Sequence, residues 1–539
     1  MSWKRIAELK GVLEREQGAI IKDWGGRLPI ALIYPNTYHV GMSSLGLHTV
    51  YRLFNAHDDV ACERVFWDKG ALPLSVESQR PLADFAVLAF TISYELDYLN
   101  LVQMLRAAGI PLRAEERDRE EPLLIAGGPA VTANPEPLAL ICDALAIGEG
   151  EAIIPALLDA LRQGIAADRS ELWKMLATIP GLYVPPWPAQ ALPVERQWLR
   201  DLNTAPAATV IYTTSTEFGD RTLIEVSRGC GRGCRFCLAG FCYRPPRERS
   251  VESLLAQAQA GLHYRDRVGL VGAAVSDYSR INELVSGLRE LGAGLSVSSL
   301  RVDPLPEALL QALAESGTRT LTIAPEAGSQ RLRTMINKGV SEDDVLRATE
   351  AAARYGFAQL KLYFMLGLPG ETDDDVQAMV DLSLAVADRF RRQVTVNLTP
   401  FVPKAHTPFQ RAAMAEADTL QARINHGQRA LRRRGVTVRT ESPAWAEVQG
   451  TLARGDRHIG AALLALERPT LSGWRKALAA AQVDPRTYLD EWPPERSLPW
   501  QVVSSGVNAA YLRREWQRAK AGRETEPCPS EGCRQCGVC

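Results

Sequence analysis

Short apolar segments alternate with amphipathic helical segments along two long stretches of this chain. In the first stretch the strand candidates lie at 28–36, 85–92, 123–128 and 144–151. In the second stretch they lie at 222–227, 268–275, 294–300, 319–325, 360–366 and 394–400. Strands that alternate with helices predict an α/β fold with parallel sheets. Ligands of such sheets bind in the loops that follow the carboxyl ends of the strands.

This alternation predicts five regions. Residues 1–175 are expected to form a Rossmann-like, doubly wound domain. Residues 176–215 hold six prolines between 180 and 206, which predicts a linker or strap. Six strand–helix units in 216–425 predict a partial parallel barrel of the TIM type, whose active site lies at its C-terminal mouth. Residues 426–520 read as mainly helical, and 521–539 form a cysteine-rich tail.

Composition excludes several other classes of protein. The 539 residues are 46% hydrophobic and 23% charged, with a net charge of −1, which is typical of globular domains without a general attraction for nucleic acid. No apolar run approaches the roughly 20 residues of a membrane span. The first residues lack the apolar core of a signal peptide. We therefore expect a soluble cytoplasmic protein that does not contact membranes.

Seven of the ten cysteines fall into two clusters with the spacing of metal ligands. The first, Cys230, Cys234 and Cys237, has the spacing C-x3-C-x2-C in a glycine-rich loop after the first strand of the predicted barrel. Three thiolates can bind three irons of a 4Fe–4S cluster and leave the fourth iron open to a substrate or cofactor. Zinc is the alternative, but zinc sites prefer four ligands in paired units. Cys242 is interpreted as a spare thiol.

The second cluster closes the chain with Cys528, Cys533, Cys536 and Cys539. Four thiolates within twelve residues can complete one metal site, and C-x4-C-x2-C also opens the loops of plant-type ferredoxins. An auxiliary iron–sulfur cluster, a structural zinc ion and a redox-active thiol tail all remain open. The segment from Trp500 to Glu515 is expected to dock this tail on the barrel.

The first cluster, with Phe236 before its last cysteine, resembles the loop of the radical S-adenosylmethionine (SAM) superfamily. This resemblance implies that the open iron holds the amino and carboxylate groups of SAM. One electron from the reduced cluster then cleaves the sulfonium and yields a 5′-deoxyadenosyl radical, which abstracts a hydrogen atom from the substrate. The chemistry belongs to the cofactors, and the protein orients them.

The resemblance also implies SAM-binding residues at the ends of the later barrel strands. Ser276 and Asp277 stand where the superfamily commonly has Gly-Gly-Glu, so either could contact the amine. The other candidates are Ser298, Arg301, Glu326, Arg331 and Gly367. Ser298 could instead be a helix cap.

The first domain resembles the cobalamin-binding domain of cobalamin-dependent radical enzymes. Its first loop lacks the Asp-x-His-x-x-Gly signature, and His39 has the wrong spacing for a cobalt ligand. The candidate cobalamin-binding residues follow the strands, at Gly41, Ser43, Gly127, Gly128, Gly148 and Glu149. Cobalamin remains a possible ligand without the signature, and a domain that has lost its cofactor is the alternative.

Motifs along nearly the whole chain, such as Tyr243-Arg-Pro-Pro-Arg and Phe401-Val-Pro-Lys-Ala-His, resemble one family of cobalamin-domain radical SAM proteins. Its members are often paired with a separate radical SAM-linked protein. The resemblance implies an enzyme that receives electrons from a flavodoxin or ferredoxin and methylates an unactivated carbon. Cobalamin-independent modification of RNA or protein, similar to methylthio transfer, is the alternative function. A pure electron carrier is disfavoured, since it has no use for an open iron. The family implies no substrate.

Overall fold

The computed structural model describes residues 3–529, 533 and 535–539. The chain divides into two compact units. Unit 1 consists of Met1–Arg221, Thr451–Tyr488 and Ser497–Gly506, and unit 2 of Thr222–Gly450, Leu489–Arg496 and Val507–Cys539. The helical region that follows the barrel is therefore shared between the two units.

The described residues form 17 strands and 20 α-helices. The strands are β1 Leu28–Tyr34, β2 Val60–Phe66, β3 Val87–Thr91, β4 Leu123–Gly127, β5 Ala144–Ala146, β6 Leu182–Tyr183, β7 Val194–Glu195, β8 Thr222–Glu225, β9 Ser227–Arg228, β10 Arg247–Glu248, β11 Arg267–Val271, β12 Gly294–Val297, β13 Thr320–Glu326, β14 Gln359–Leu366, β15 Gln393–Pro400, β16 Thr437–Thr440 and β17 Val503–Ser504. The helices are α1 Trp3–Glu14, α2 Tyr38–Gly41, α3 Leu45–Asn55, α4 Asp97–Ala107, α5 Pro129–Ala133, α6 Gly150–Gly164, α7 Arg169–Leu176, α8 Ala239–Cys242, α9 Val251–Leu262, α10 Ile281–Glu290, α11 Glu307–Glu315, α12 Gln330–Met335, α13 Glu342–Arg354, α14 Asp373–Phe390, α15 Ala417–Arg432, α16 Pro443–Ala453, α17 Arg457–Ala465, α18 Leu471–Ala480, α19 Arg486–Leu489 and α20 Ala509–Lys520.

Unit 1 contains a six-stranded sheet in the order β2-β1-β3-β4-β5-β6. The first five strands are parallel, and β6 runs antiparallel to β5. Apolar side chains of the sheet, including Ile30, Leu32 and Val87, share one core with residues of α3, α6 and α7. The predicted Rossmann-like α/β fold is confirmed.

The strand order creates a crevice at the carboxyl ends of the adjacent strands β1 and β3. The chain leaves β1 toward β2 on one side and returns to β3 on the other, so the loops after β1 and β3 diverge. The side-chain amide of Asn36 donates to Asp97 Oδ1 at 2.8 Å, and that of Asn100 donates to the carbonyl of Pro35 at 2.9 Å. These polar side chains lie at the point where a doubly wound sheet binds its ligand.

Strand β2 is missing from the prediction because a buried charge group interrupts its apolar pattern. All seven of its residues are buried. Within it, Arg64 donates to Glu16 Oε2 at 2.6 Å and to Glu77 Oε1 at 2.7 Å, and all three side chains are at most 1% exposed. Two carboxylates around one guanidinium supply the partners that buried charges require.

Unit 2 contains two parallel sheets that form one arc. Their orders are β12-β11-β8 and β13-β14-β15-β16. A parallel bridge joins Leu300 to Ile323, with the Leu300 amide donating to the carbonyl of Thr322 at 3.0 Å. The arc therefore holds the six predicted barrel strands and adds β16, a four-residue strand too short and too exposed for its sequence to indicate it.

No helix within the described part of the chain is both long enough and apolar enough to span a membrane.

Substitution of Gly148 tests whether its close contact with Gln197 of the strap stabilises unit 1. Its φ is +129°, and an added Cβ would lie 2.1 Å from the carbonyl oxygen of Gln197. Gly148→Ala is expected to lower the stability of unit 1 by about 2 kcal/mol or more, because it combines a strained backbone with a backbone clash. Thermal unfolding should show a lower midpoint. Gly25→Ala, which meets nothing within 4 Å, is the control and should leave the midpoint unchanged; equal midpoints for both variants would contradict the assignment.

Candidate active site

The cysteine loop follows β8 and β9 directly, at the carboxyl end of the first barrel strand. Gly229 and Gly233 have φ values of +81° and +75°. A Cβ on Gly229 would lie 2.2 Å from the carbonyl oxygen of Tyr243, so this tight turn requires glycine. The Cys237 amide then donates to the carbonyl of Cys234 at 3.0 Å. These turns keep the three cysteines on one short loop.

The three thiols lie close enough to influence one another's charge. Burial, and after it the neighbouring Cys234 and Cys230, raise the pKa of the Cys237 thiol to about 12, although the Gly240 backbone and Lys338 oppose them. Burial and then Cys234 also raise the pKa of Cys230, against a hydrogen bond from the Arg232 backbone. A metal that binds Cys230 and Cys237 would therefore have to displace their protons.

Across residues 3–529, 533 and 535–539, no three His, Cys, Asp or Glu side chains are arranged as a group that could hold a metal ion. Two assignments of metal ligands therefore stay predictions: the loop cysteines Cys230, Cys234 and Cys237, and the tail cysteines Cys528, Cys533, Cys536 and Cys539.

The ends of the second and third barrel strands meet this loop. Arg232 donates through Nε and Nη2 to the carboxylate of Asp277 at 2.9 and 2.8 Å. Arg301 approaches the same carboxylate at 3.5 Å, and its amide donates to Ser276 Oγ at 3.3 Å. Three predicted SAM-binding residues, Ser276, Asp277 and Arg301, are thus brought together beside the cysteines.

The fourth barrel strand adds a buried ion pair. Glu326 adopts a φ of +70° next to a register shift in the pairing of β13 with β14. Its carboxylate accepts a hydrogen bond from Lys338 Nζ at 3.0 Å. Burial opposes the charge on Lys338, but Glu326 and then Cys234 raise its pKa above the usual value. A fixed positive charge therefore stands beside the cysteine loop, and the sequence alone gave no sign of it.

The remaining SAM candidates are engaged in local structure. Ser298 is exposed after β12. Arg331 pairs with Asp375 and donates to the carbonyl of Gly370 at 2.9 Å, at the start of α14. Gly367 has a φ of +82°, and its amide donates to Glu371 Oε2 at 2.6 Å. Their roles in cofactor binding stay predictions.

In unit 1 the predicted cobalamin-binding glycines have structural roles. A Cβ on Gly128 would lie 2.6 Å from the carbonyl oxygen of Ile92, and one on Gly41 would lie 2.4 Å from the Phe66 ring. A Cβ on Gly127 would lie 3.2 Å from the Cβ of Ala146. Gly148 approaches Gln197, as described above. Close packing explains these glycines, so contact with cobalamin stays a prediction for them.

The two polar candidates of unit 1 also have partners. Ser43 Oγ donates to the carbonyl of His39 at 2.7 Å and accepts from the Glu217 amide at 2.9 Å. Glu149 Oε2 accepts from the Leu199 amide at 2.9 Å. The His39 ring lies 3.3 Å from the Glu217 carboxylate. These contacts leave the cobalamin assignment of Ser43 and Glu149 a prediction.

Asp97 is a residue of the sheet crevice that the sequence did not single out. It is 3% exposed. Burial raises the pKa of its carboxyl to about 6, although hydrogen bonds from Asn36 and Asn100 lower it. Its position at the start of α4, directly after the loop of β3, was the available signal.

Comparison with known proteins agrees with this geometry. The sequence matches the family "Radical SAM proteins, N-terminal" over residues 46–185 and the "Radical SAM superfamily" over residues 224–383. It is 32% identical over 450 residues to "Uncharacterized protein MJ0966" of Methanocaldococcus jannaschii, covering 82% of this chain and 92% of that protein. It is 28% identical over 284 residues to "Uncharacterized methyltransferase PH0819" of Pyrococcus horikoshii, covering 48% and 57% of the two chains.

Among solved structures, the radical S-adenosylmethionine methyltransferase TsrM of Kitasatospora setae, with cobalamin and a [4Fe-4S] cluster bound, has a similar fold. The TM-score is 0.50 at 15% identity, covering 92% of this chain and 99% of TsrM. Such low identity establishes shared architecture alone.

The barrel of unit 2 coincides with the superfamily match, which makes this protein a radical SAM enzyme. It belongs to the same family as "Uncharacterized protein MJ0966" of M. jannaschii.

The pKa of Asp97 predicts a pH-dependent stability. The folded state holds the proton up to about pH 6, whereas the carboxyl of the unfolded chain releases it near its ordinary pKa of 3.8. The wild-type protein therefore loses stability as the pH rises from about 4 to 6. Asp97→Asn removes this titration and should be more stable than wild type above pH 6, by about 1–3 kcal/mol.

Thermal unfolding from pH 4 to 8 checks this expectation. Asp84→Asn, an exposed aspartate of the same unit, is the matched control and should show no such trend. A difference between Asp97→Asn and wild type that does not change with pH would contradict the burial of a titrating carboxyl.

Proposed function

We propose that this enzyme uses a 4Fe–4S cluster to cleave SAM reductively and transfers a methyl group to an unactivated carbon with the help of cobalamin. The observation that carries the proposal is the three-cysteine loop at the mouth of the barrel, tied by Arg232 to Asp277. The similarity to a methyltransferase of P. horikoshii and the fold shared with TsrM support the methyl-transfer part.

The donor set fits an iron–sulfur cluster. Thiolates are the soft ligands that such clusters take, and the glycine turns at 229 and 233 let three of them share one loop. Cys230, Cys234 and Cys237 would hold the cluster, which supplies the electron that cleaves bound SAM. Lys338, charged and buried beside Cys234, would offset the negative charge of the bound thiolates.

The residues around the loop would bind and orient SAM. Asp277 accepts from Arg232 and lies near Arg301, so it presents a carboxylate held in place from two sides. The Asp277 carboxylate can accept a hydrogen bond from the ammonium of the methionyl part of SAM. Arg301 can donate a hydrogen bond to the carboxylate of the same methionyl part. Two fixed groups of opposite charge would thereby hold the methionyl part of SAM in one orientation.

Cobalamin would bind to unit 1, at the crevice after β1 and β3. The polar side chains of Asn36, Asp97 and Asn100 line this edge, and hydrogen bonds fix them before any ligand arrives. In the neighbouring strands, Gly127 ends β4 and Gly128 follows it, while Gly148 and Glu149 follow β5. Cobalamin would supply the methyl group for transfer.

The proposal includes two further components. A flavodoxin- or ferredoxin-type protein would donate the electron. The tail cysteines Cys528, Cys533, Cys536 and Cys539 would hold a second metal centre, either iron–sulfur or zinc.

Removal of one loop ligand tests the radical chemistry. Cys234→Ala is expected to lose about four iron atoms per chain and to form no 5′-deoxyadenosine above background, because a cluster with two thiolates is not retained. Iron analysis and chromatography after anaerobic reduction with SAM give the measurement. Cys242→Ala, a buried cysteine on α8, is the matched control and should keep both iron and product. An unchanged yield in Cys234→Ala would refute the radical assignment.

Binding of hydroxocobalamin tests the methyl-transfer part. We expect one cobalamin per chain after anaerobic loading and gel filtration, measured by cobalt content and visible absorption. Labelled methyl from SAM should then appear on bound cobalamin. A protein that forms 5′-deoxyadenosine but binds no cobalamin would instead support cobalamin-independent modification of RNA or protein.

A further inference from the structure

The cysteine-rich tail lies directly on the cysteine loop within unit 2. The amide of Cys528 donates to the carbonyl of Gly231 at 2.7 Å. A Cβ on Gly231 would lie 3.3 Å from the Cβ of Cys528. Cys528 therefore touches the residue that follows Cys230. The two cysteine clusters are neighbours in space, although 297 positions separate Gly231 from Cys528 in the sequence.

Asn337 fixes this contact through its side-chain amide. Its Nδ2 donates to the carbonyls of Gly233 and Thr525 at 3.2 and 3.1 Å, and its Oδ1 accepts from the Thr525 amide at 2.8 Å. One side chain thus binds the backbone of both the cysteine loop and the tail. The register between the two segments is set by these directional bonds.

Arg235, inside the cysteine loop, binds the tail with its charge. The guanidinium is fully buried and donates to the carbonyl of Arg523 at 2.7 Å and to Thr525 Oγ1 at 3.2 Å. It also pairs with the buried carboxylate of Glu515 on α20 at 3.2 Å. A buried charge needs such partners, so the tail is part of the loop's own structure.

The four tail cysteines interact electrostatically with one another, and Cys528 and Cys539 also interact with the buried guanidinium of Arg244. Cys536 is 2% exposed, packs with Phe241 and Tyr511, and has its carbonyl bonded by the Asn508 amide at 2.8 Å. Arg244 is also buried and hydrogen-bonds Cys536. A fixed cation in an apolar wall suits a centre with four thiolates, whose net charge is negative.

We infer that Cys528, Cys533, Cys536 and Cys539 hold an iron–sulfur cluster that passes electrons to the cluster of the cysteine loop. This inference rests on the proposed function. Tetrahedral sulfur sites take either zinc or iron–sulfur clusters, and the location decides for iron, because zinc carries no electrons. The hydrogen bond from Cys528 to Gly231 gives a short path that runs from one ligand residue to the neighbour of the other.

Each step of the proposed relay moves one electron. A reduced flavodoxin- or ferredoxin-type protein gives one electron to the tail cluster and is itself oxidised by one electron. The tail cluster returns to its oxidised state when it reduces the loop cluster. That electron then breaks one C–S bond of SAM to give methionine and the 5′-deoxyadenosyl radical. No proton or atom moves between the clusters.

Metal content of the anaerobically purified full chain tests the site. We expect about eight iron atoms per chain and no stoichiometric zinc. The double variant Cys533→Ser/Cys539→Ser should keep about four iron atoms per chain. The double variant Cys234→Ala/Cys237→Ala should also keep about four iron atoms. The electron paramagnetic resonance signals of the two variants should differ, because each variant retains a different cluster. Cys142→Ala, buried in unit 1, is the control with unchanged iron. Zinc in the tail, or iron unchanged in the serine variant, would overturn the inference.

The rate of electron delivery tests the relay. In the serine variant, 5′-deoxyadenosine formation supported by flavodoxin should fall about tenfold or more, while the affinity for SAM is kept. Dithionite is a small reductant that reaches the loop cluster directly. With dithionite, the rate of 5′-deoxyadenosine formation in the serine variant should therefore fall less. An unchanged flavodoxin-supported rate would refute the relay. Failure of wild type to form any 5′-deoxyadenosine would refute the proposed function instead, and the signal of the Cys234→Ala/Cys237→Ala variant would still report on the tail cluster.

Discussion

The buried guanidinium of Arg235 joins three parts of unit 2 that are distant in sequence. Its donors reach the carbonyl of Met335 at the end of α12, the carboxylate of Glu515 on α20 and the tail at Arg523 and Thr525. A charge withdrawn from water must find all its partners inside the protein. The position of the cysteine loop therefore depends on the barrel and on the tail together, and the site cannot be understood from the barrel strands alone.

Much of the fold could be predicted because parallel strands buried by helices leave apolar runs in the sequence. The barrel strands from β8 to β15 and the strands β1, β3, β4 and β5 carry that signal. Strand β2 lacks an apolar run, because the charged residues Glu63 and Arg64 are buried inside it. Their burial requires hydrogen-bond and ion-pair partners that only the folded chain supplies. Strand β6 has only two residues, and β16 buries only one of its four, so neither leaves an apolar run in the sequence.

The candidate site could also be predicted only in part from the sequence. Cysteine spacing is a local property, so Cys230, Cys234 and Cys237 could be found without a structure. Lys338 and Asn337 could not, because their importance comes from long-range pairs with Glu326 and Thr525. The predicted contact of Gly128 and Gly148 with cobalamin stays a prediction. Only the structure shows that both glycines also have a positive φ and close backbone contacts.

The clamp on the cysteine loop has a consequence for synthesis. Thr525 follows Arg235 by 290 positions, and a ribosome adds about 5–20 residues per second. For roughly 15–60 s the nascent chain thus contains a complete cysteine loop, and later a complete set of barrel strands, without the segment that satisfies Arg235. During that interval the partners that Arg235 finds in the tail are not yet synthesised. The order of residues along the chain therefore makes the attachment of the tail to the cysteine loop a late step in the folding of unit 2.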